Sequence, residues 1–385
     1  MKVLVVPMFA LSAMGGPWSR AQAIAAAAEA AGHHAVLAMS ADGNCRNPRV
    51  ADIHELPVPS PLGLPMAIAS RTFPLAQKLG IAGRKPVGSF EEVLWLTGNL
   101  AYPFLRDSVA ALRKAIRAHG VDALYSEFSL PAIIAAKAEG VPLFGSVSYP
   151  TQASYASTPA KAGGLRRLLA ELGLPDVKSS LELLDWLDRR FVPSCPALEP
   201  FDDAKTRFVG FLEPPVQAER EAVPRDCVVI YLGSGSVPTG KVARTVREAF
   251  ADFPMDVYVA GARETRDEGN LHFAPHFDFA ELLPRAACFV NHGGQNSTMD
   301  ALRYGAAQAI VPGRIFERRY NAGSIARAGA GIVLERFDAT SLAEAVGRAA
   351  TDNVMHARAE ALHVELAELG GADAIVANLC SSSVR

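Results

Sequence analysis

The first half of the chain alternates short apolar runs with longer stretches that carry a helical pattern. Residues 3–7 form an apolar run of the kind that is buried in a parallel sheet, and residues 20–31 are predicted to form a helix that is stopped by Gly32. The alternation continues and predicts strands at 35–38, 123–126 and 143–147 and helices at 104–119 and 130–139. This rhythm predicts a doubly wound α/β sheet with helices on both faces.

The rhythm stops in a stretch rich in proline and acidic residues, 193–224, and then starts again. The second series predicts strands at 227–232, 257–260, 288–291, 309–311 and 331–334, with helices at 241–250, 297–304, 321–328 and 341–351. Two similar α/β domains joined by a linker are therefore expected. Only the segment 57–102 has little periodicity, and it is predicted to form variable loops and short helices.

Composition narrows the functional classes. The 385 residues have a net charge of −2, so no basic field indicates a nucleic-acid partner. No apolar run approaches the about 20 residues of a membrane-spanning helix. The apolar start could pass for a secretion signal, but Pro7 breaks it and a helix follows. The cysteines are scattered and odd in number, which favours reduced thiols in a cytoplasmic protein: Cys45, Cys195, Cys227, Cys288 and Cys380.

The most informative local pattern is the segment 289–300, F-V-N-H-G-G-Q-N-S-T-M-D, in which a predicted strand runs into a polar turn that opens a helix. A helix N-terminus presents unpaired N–H groups and partial positive charge, so it is a natural anion site. Its glycines let a phosphate approach the backbone, and Asp300 can accept from ribose hydroxyls. Alternatively, Asn296 or Ser297 caps the helix and the glycines form a simple turn. The candidate anion-binding residues are His292, Gly293, Gly294, Asn296, Ser297, Thr298 and Asp300.

This segment resembles the donor-binding motif of inverting nucleotide-sugar (UDP/TDP-sugar) glycosyltransferases of the bacterial natural-product and macrolide type. The likeness continues beyond the turn through Ala301-Leu302, Gly305, Pro312, Glu317, Asn321-Ala322 and Gly329-Ala330-Gly331. The resemblance implies the GT-B fold, two Rossmann-like doubly wound domains with the active site in the cleft between them. It implies an acceptor-binding domain at 1–208, a linker at 209–224, a donor-binding domain at 225–365 and a final helix, 366–385, that packs back on the first domain.

Two further segments resemble the donor side of this family. Residues 270–284, NLHFAPHFDFAELLP, are similar to the segment that packs on the nucleobase, with His276 at the usual aromatic position and Asp278 at the usual Pro. The His276 ring either stacks on a pyrimidine or is a surface histidine, and Phe277 and Phe279 flank it. Residues 230–236, IYLGSGS, resemble the strand and turn that open the second domain, and Ser234 is assigned to donor binding.

The resemblance also implies the chemistry. An acceptor atom attacks the anomeric carbon while the nucleotide diphosphate leaves, and the helix N-terminus with His292 and Ser297 stabilises the leaving group without a metal. No cofactor is expected, since the nucleotide sugar is a co-substrate. Glu317 and Arg318 take the sugar-binding positions, but Arg318 replaces the family Gln. An Arg fork suits a carboxylate-bearing sugar or a second phosphate, and a surface Arg is the alternative.

The sequence departs from the family at the general base. The His that follows the first strand in this family is replaced by Pro17, and Pro17 and Trp18 are assigned to the acceptor side. Its carboxylate partner corresponds to Glu127, where Asp is usual. Glu127 is therefore the candidate catalytic base. Alternatively, an already ionised acceptor needs no base, or the protein is a binding partner of an active enzyme, or it is an epimerase of nucleotide sugars in the same fold.

The acceptor is expected to be small and fairly apolar. Apolar and aromatic residues at 62–68, 90–95 and 149–155 are predicted to surround its entrance, although they could equally be core residues. The expected partners are the donor and this acceptor, with no nucleic acid and no membrane span, and a homodimer is left open.

Overall fold

The structure is a computed structural model that describes residues 1–11, 15–41, 45–78, 86–153, 161–213, 223–233 and 237–382, the side chains of 73–78 and 381–382 excepted. The chain divides into two compact units. The first comprises Met1–Pro74, Gly88–Pro214 and Leu369–Arg385, and the second comprises Leu75–Val87 and Pro215–Glu368.

The first unit is built around a seven-stranded sheet in the order β3-β2-β1-β4-β5-β6-β7, in which every neighbouring pair is parallel. Its strands are β1 Lys2–Pro7, β2 His34–Ser40, β3 Asp52–Leu56, β4 Ala123–Glu127, β5 Leu143–Ser146, β6 Arg189–Val192 and β7 Thr206–Phe208. Its described helices are α1 Gly16–Ala30, α2 Met66–Lys78, α3 Phe90–Leu96, α4 Tyr102–His119, α5 Leu130–Glu139 and α6 Gly163–Glu171. The predicted doubly wound sheet is confirmed.

The second unit repeats this plan. Its sheet has the order β10-β11-β9-β8-β12-β13-β14, and only the edge pair β10 and β11 is antiparallel among the described strands. Its strands are β8 Cys227–Tyr231, β9 Asp256–Ala260, β10 Arg266–Glu268, β11 Leu271–Ala274, β12 Ala286–Asn291, β13 Gln308–Ile310 and β14 Gly331–Val333. Its described helices are α7 Thr239–Phe250, α8 Phe279–Leu282, α9 Gln295–Arg303, α10 Phe316–Arg327, α11 Ala339–Thr351 and α12 Asn353–Ala367.

The last helix, α13 Gly371–Ser382, packs on α1 in the first unit. Ile375 and Leu379 are fully buried there, in the same apolar cluster as Ile24 of α1 and Val5 of β1. The chain enters this helix through Gly371, whose N–H donates to the Val209 carbonyl at 2.7 Å. The family resemblance implied that the final helix packs on the first unit, and the burial of its apolar face supplies the physical reason.

Two parts of the predicted linker and loop regions are ordered structure. The stretch 193–208 belongs to the first unit, because it contains β7 and buries Cys195 and Leu198. Val87, from the stretch without periodicity, forms a bridge with Ile315 of the second unit, with N–H···O bonds of 3.2 Å to Arg314 and 3.0 Å from Phe316. Edge pairing of this kind uses backbone groups alone and leaves no side-chain pattern in the sequence.

The cysteines are free thiols, and Cys195, Cys227 and Cys288 are buried. No helix in the described part of the chain is both long and apolar enough to cross a membrane.

Candidate functional site

The turn that follows β12 lies where the strand order of the second sheet reverses. β8 and β12 are neighbours, and the next strands, β9 and β13, lie on opposite sides of this pair. Residues that follow the carboxyl ends of such a pair border a crevice in which open α/β sheets bind ligands. The crevice here is bordered by Gly233, after β8, and by His292, after β12.

The turn is held by a network of buried amides. The N–H of Gly293 donates to Asn291 Oδ1 at 2.8 Å, and Asn321 Nδ2 donates to the Gly293 carbonyl at 2.9 Å. Asn291 Nδ2 in turn donates to Gln308 Oε1 at 2.8 Å. Gly293 has a φ of +78°, and a Cβ there would lie 2.8 Å from the Arg318 carbonyl oxygen, so only glycine fits without displacement.

The imidazole of His292 fills the space that two glycines leave open. A Cβ at Gly294 would lie 2.6 Å from its Nε2, and a Cβ at Gly233 would lie 3.1 Å from its Nδ1. The Tyr231 ring meets it edge-on, with centroids 5.9 Å apart. Nδ1 is shielded from solvent and has no hydrogen-bond partner among the described residues. This orphaned nitrogen is one that a ligand atom can satisfy.

His292 is neutral across the physiological range. Its pKa is lowered to about 3, chiefly by burial and then by the Arg318 cation, while hydrogen bonding with the Tyr231 backbone acts in the opposite direction. A neutral imidazole has a single N–H donor, so donation to an anion from Nδ1 takes the place of donation to the Tyr231 backbone.

Helix α9 begins directly after this turn, with Gly294 as its N-cap and no side chain that caps it. The first-turn N–H groups are therefore not satisfied by a side-chain cap, as an anion site requires. The alternative that Asn296 or Ser297 caps the helix is wrong. Ser297 is buried, while Asn296 and Asp300 are half-buried on the same helix.

The hydroxyl of Thr298, one of the predicted donor-binding residues, is bonded within its own helix. Its hydroxyl donates to the carbonyls of Gly294 and Gln295, at 3.2 and 2.9 Å, so it serves the helix itself. The residue is buried, with 1% of its surface exposed. Residue type alone could not separate Ser297 from Thr298, because both hydroxyls can bond to the preceding turn of a helix.

Arg318 lies in the first turn of α10, beside the histidine turn. It is half-buried, and burial lowers its pKa, against the opposing effect of Glu317. Its charge also lowers the pKa values of His292 and of Tyr231. Its neighbour Arg319, by contrast, is a surface arginine, since it is exposed and donates to the Gly313 carbonyl at 3.2 Å.

The segment assigned to the nucleobase is joined to this pocket by aromatic contacts. Phe279 meets the ring of Tyr231 edge-on, with centroids 5.6 Å apart, and Phe277 meets Tyr258 at 5.4 Å. His276 is exposed and lies 6.4 Å from Phe279 between ring centroids.

Asp278, at the usual Pro position, is the N-cap of α8 and accepts from the Ala280 N–H at 2.8 Å. It therefore gives this short helix a defined start in place of the fixed φ that a Pro would supply.

Several functional positions were missed or fall outside the structure. Ser234 lies outside the described residues. Tyr231, which links the aromatic segment to His292, carried no signal apart from its place at the end of an apolar strand. Asn291 and Gln308 also went unnoticed, because a buried amide network joins residues that are distant in sequence.

In the first unit, Glu127 ends β4 at the corresponding reversal of strand order, between β1 and β4. It is fully buried and accepts from Arg20 Nε at 2.6 Å. Ser146 also donates to its carboxylate, and Ser146 Oγ contacts the Tyr125 hydroxyl at 2.8 Å. Arg20, whose side chain is 14% exposed, is therefore the charge partner of this buried carboxylate.

The next residue, Phe128, has a φ of +60°, which is strained for a bulky side chain. The Arg20 guanidinium lies over its ring, with 5.7 Å between Cζ and the ring centroid.

The acceptor-side assignment of Trp18 is corrected by its surroundings. Its ring is buried in the core of the first unit, and its indole N–H donates to the Arg46 carbonyl at 3.0 Å. Pro17, in the first turn of α1, is buried as well. Both residues shape the start of α1, and Trp18 has no polar group left for an acceptor.

No cluster of three or more His, Cys, Asp or Glu side chains in the described ranges is arranged to hold a metal ion. Asp203, in the stretch predicted as linker, accepts a hydrogen bond from the Thr206 hydroxyl and pairs with Arg190.

The chain contains two Rossmann-like sheets of similar topology. In the second sheet, a glycine-rich turn opens a helix at the point where the strand order reverses. This arrangement is that of the GT-B fold class. Residues 256–380 match the family model described as erythromycin biosynthesis protein CIII-like, C-terminal domain. The predicted resemblance to natural-product nucleotide-sugar glycosyltransferases is confirmed for this segment.

Relatives of known sequence agree with this match. The NDP-glycosyltransferase YjiC of Bacillus subtilis (strain 168) is 32% identical over 101 residues, 26% of each chain. O-mycaminosyltylonolide 6-deoxyallosyltransferase of Streptomyces fradiae is 33% identical over 126 residues, 32% of this chain and 28% of the relative. The chain thus aligns with about a quarter of the length of these curated relatives.

Among solved structures, spinosyn rhamnosyltransferase SpnG complexed with thymidine diphosphate superimposes with a TM-score of 0.72 at 18% identity. The match covers 98% of this chain and 100% of that one. The predicted GT-B fold is confirmed.

The Glu127–Arg20 pair yields a stability prediction. Glu127→Gln leaves a largely buried cation without its partner, and we expect the first unit to lose about 3 kcal/mol of unfolding free energy. Adding Arg20→Gln should recover part of this loss. All three tryptophans, Trp18, Trp95 and Trp186, lie in the first unit, so urea unfolding followed by tryptophan fluorescence reports on it selectively.

The matched control is Glu171→Gln, which removes the partner of Arg167 in an exposed i,i+4 pair. Its unfolding midpoint should stay that of the wild type. Strictly additive effects of the two changes at 20 and 127 would contradict the buried pair.

The lowered pKa of His292 yields a prediction about pH. The folded pKa of about 3 lies below the unfolded value, so acidification through about pH 6.5 protonates the unfolded chain first and destabilises the fold. Between pH 7.5 and 5.0, the wild type should lose roughly 2 kcal/mol relative to His292→Gln. Urea unfolding followed by circular dichroism at both pH values measures this difference, and a gap that is independent of pH would refute it.

Proposed function

We propose that this protein transfers a sugar, with inversion, from a nucleoside diphosphate sugar to a small apolar acceptor. The observation that carries this proposal is the orphaned Nδ1 of His292 beside an uncapped helix N-terminus. A buried nitrogen without a partner costs free energy unless a ligand completes it. The match of 256–380 to a glycosyltransferase domain supports the same ligand class.

On this proposal, the diphosphate lies against the first turn of α9. The N–H groups of that turn and the positive end of the helix dipole face the phosphate oxygens. With its proton on Nδ1, the neutral His292 ring donates one hydrogen bond, and the buried hydroxyl of Ser297 is a further donor. Asp300 accepts from the ribose, and Glu317 accepts from hydroxyls of the sugar.

The nucleobase stacks on the exposed ring of His276, next to Phe279. An exposed flat ring at this position is a suitable platform, since aromatic faces prefer stacked or edge contacts. The SpnG structure is a complex with thymidine diphosphate, and we carry this ligand over to the present chain as the leading candidate.

Transfer proceeds by direct displacement. The acceptor oxygen forms a bond to the anomeric carbon as the bond to the diphosphate oxygen breaks, and the electron pair leaves with the diphosphate. Fixed donors aimed at this developing charge stabilise the transition state. We propose that protein groups supply this stabilisation and that no metal is needed.

The acceptor side belongs to the first unit. Its largest exposed apolar residues in the described ranges fall within two predicted segments, Leu62, Leu64, Met66 and Ile68 and, on α3, Trp95. Their exposure rules out the alternative of core residues for these five side chains, and it supports their assignment to a binding surface. We therefore propose an apolar acceptor.

The state of Glu127 bears on how the acceptor is activated. A mobile base must take a proton from the acceptor, yet this carboxylate is fully buried and bonded to Arg20 and Ser146. Of the readings that the sequence left open, this favours an acceptor that is already ionised or ionises easily, such as a carboxylate or an acidic phenol. Glu127 then positions Arg20 and is not the base.

Nucleotide binding tests the donor site. At a hundredfold excess over its dissociation constant, the cognate diphosphate should stabilise the fold by about 2.7 kcal/mol and raise Tm. A thermal-shift series with UDP, TDP and GDP identifies the base. His292→Ala should abolish the rise, and so should Gly294→Ala, because the new Cβ would lie 2.6 Å from His292 Nε2.

The control for these variants is Gly347→Ala in α11, where an added Cβ meets nothing within 4 Å. It should bind nucleotide as the wild type does. If no diphosphate raises Tm of the wild type, the proposed function is wrong.

The origin of the nucleophile can be tested with a series of phenol acceptors whose own pKa values run from near neutral to about 10. Without an enzymatic base, the midpoint of kcat/KM against pH should follow the pKa of each phenol. A midpoint that stays the same for every acceptor would mean that a group of the protein takes the proton.

A further inference from the structure

We propose that Arg318 binds the distal phosphate of the donor and neutralises the charge of the leaving diphosphate. This inference rests on the proposed function and assigns Arg318 to the phosphate, whereas the family position is a sugar contact. It follows from where the side chain lies in the second unit.

The backbone of Arg318 contacts the turn after β12, at Gly293. Its carbonyl carbon and oxygen would lie 3.4 and 2.8 Å from a Cβ at Gly293, so α10 begins in direct contact with that turn. Asn321, one turn further along α10, donates to the carbonyl of the same glycine. The start of α10 and the start of α9 are thus fixed around one residue.

A bound diphosphate is an anion, and the charge state of each side chain near the turn decides which of them can neutralise it. His292 carries no charge at neutral pH, so it contributes a hydrogen bond only. Tyr231, whose pKa is raised by burial, is a neutral phenol. Glu317, next to Arg318, is the acidic group that acts on the guanidinium, and on the proposed function it faces the sugar. Arg318, whose backbone contacts the turn at Gly293 and whose charge acts on His292, is therefore the cation that we assign to the diphosphate.

A phosphate also fits the chemistry of the guanidinium better than sugar hydroxyls do. The planar fork matches two phosphate oxygens, and charge-assisted bonds of this kind are about twice as strong as neutral ones. When the glycosidic carbon–oxygen bond breaks, its electron pair stays on the diphosphate, which gains one unit of negative charge. A cation that is already in place stabilises that charge without reorganisation.

The test compares nucleoside diphosphate with nucleoside monophosphate binding to the full chain, by calorimetry, for wild type, Arg318→Gln and Arg318→Lys. Arg318→Gln should weaken diphosphate binding about 10- to 100-fold and monophosphate binding less than about twofold, since only the diphosphate reaches the guanidinium. Arg318→Lys keeps the charge without the fork and should lie between the two.

Arg319→Gln is the matched control, because Arg319 is the exposed neighbour, and it should bind both ligands as the wild type does. If wild type binds the diphosphate and both changes at 318 leave the preference for it intact, the assignment is overturned while the proposed function stands. It is also overturned if Arg318→Gln loses only the discrimination between uronic-acid and neutral-sugar donors, which would place Arg318 on a sugar carboxylate. Absence of any binding to wild type would instead refute the proposed function.

Discussion

The second unit depends on one constraint, the fixed position of a desolvated, neutral imidazole at the strand reversal. The His292 ring occupies space that exists because residues 233 and 294 have no side chains. The backbone of Gly293, next to the ring, is hydrogen-bonded to the side-chain amides of Asn291 and Asn321. The side chain of Gln308 in turn fixes the amide of Asn291. A turn fixed in this way presents the N-terminus of α9 without rearrangement, which is the condition for effective electrostatic stabilisation.

The two sheets place different chemistry at the same topological point. In the first, the end of β4 carries a carboxylate that is neutralised inside the protein by Arg20. In the second, the end of β12 carries an uncharged ring and an uncapped helix, and Arg318 is the nearby cation. The carboxylate at the first reversal point is paired with a cation of the protein, whereas the second reversal point is the proposed anion site. The strained backbone at Phe128 lies at the first reversal point, where packing against Phe90 and Arg20 holds it.

Much of this could be predicted from the sequence because buried parallel strands and glycine-ended helices leave strong local patterns. The strand 123–127 and the helix 130–139, which ends at Gly140 in the left-handed region, were located to within a residue. β6 and β7 were missed, since short strands that carry arginines look like linker. The bridge of Val87 to Ile315 was invisible, because backbone pairing depends on tertiary position.

The site was less predictable than the fold, since function there depends on partners that are distant along the chain. The family resemblance assigned Glu127 as the partner of a histidine that this chain lacks. The arginine that pairs with Glu127 lies one turn into α1 and belongs to no motif. Thr298 and Ser297 are adjacent and chemically alike, yet helix geometry turns one hydroxyl back onto the backbone. The imidazole that the motif identifies is too strongly desolvated to carry charge, so on the proposed function the backbone of α9 and Arg318 stabilise the charge of the leaving group.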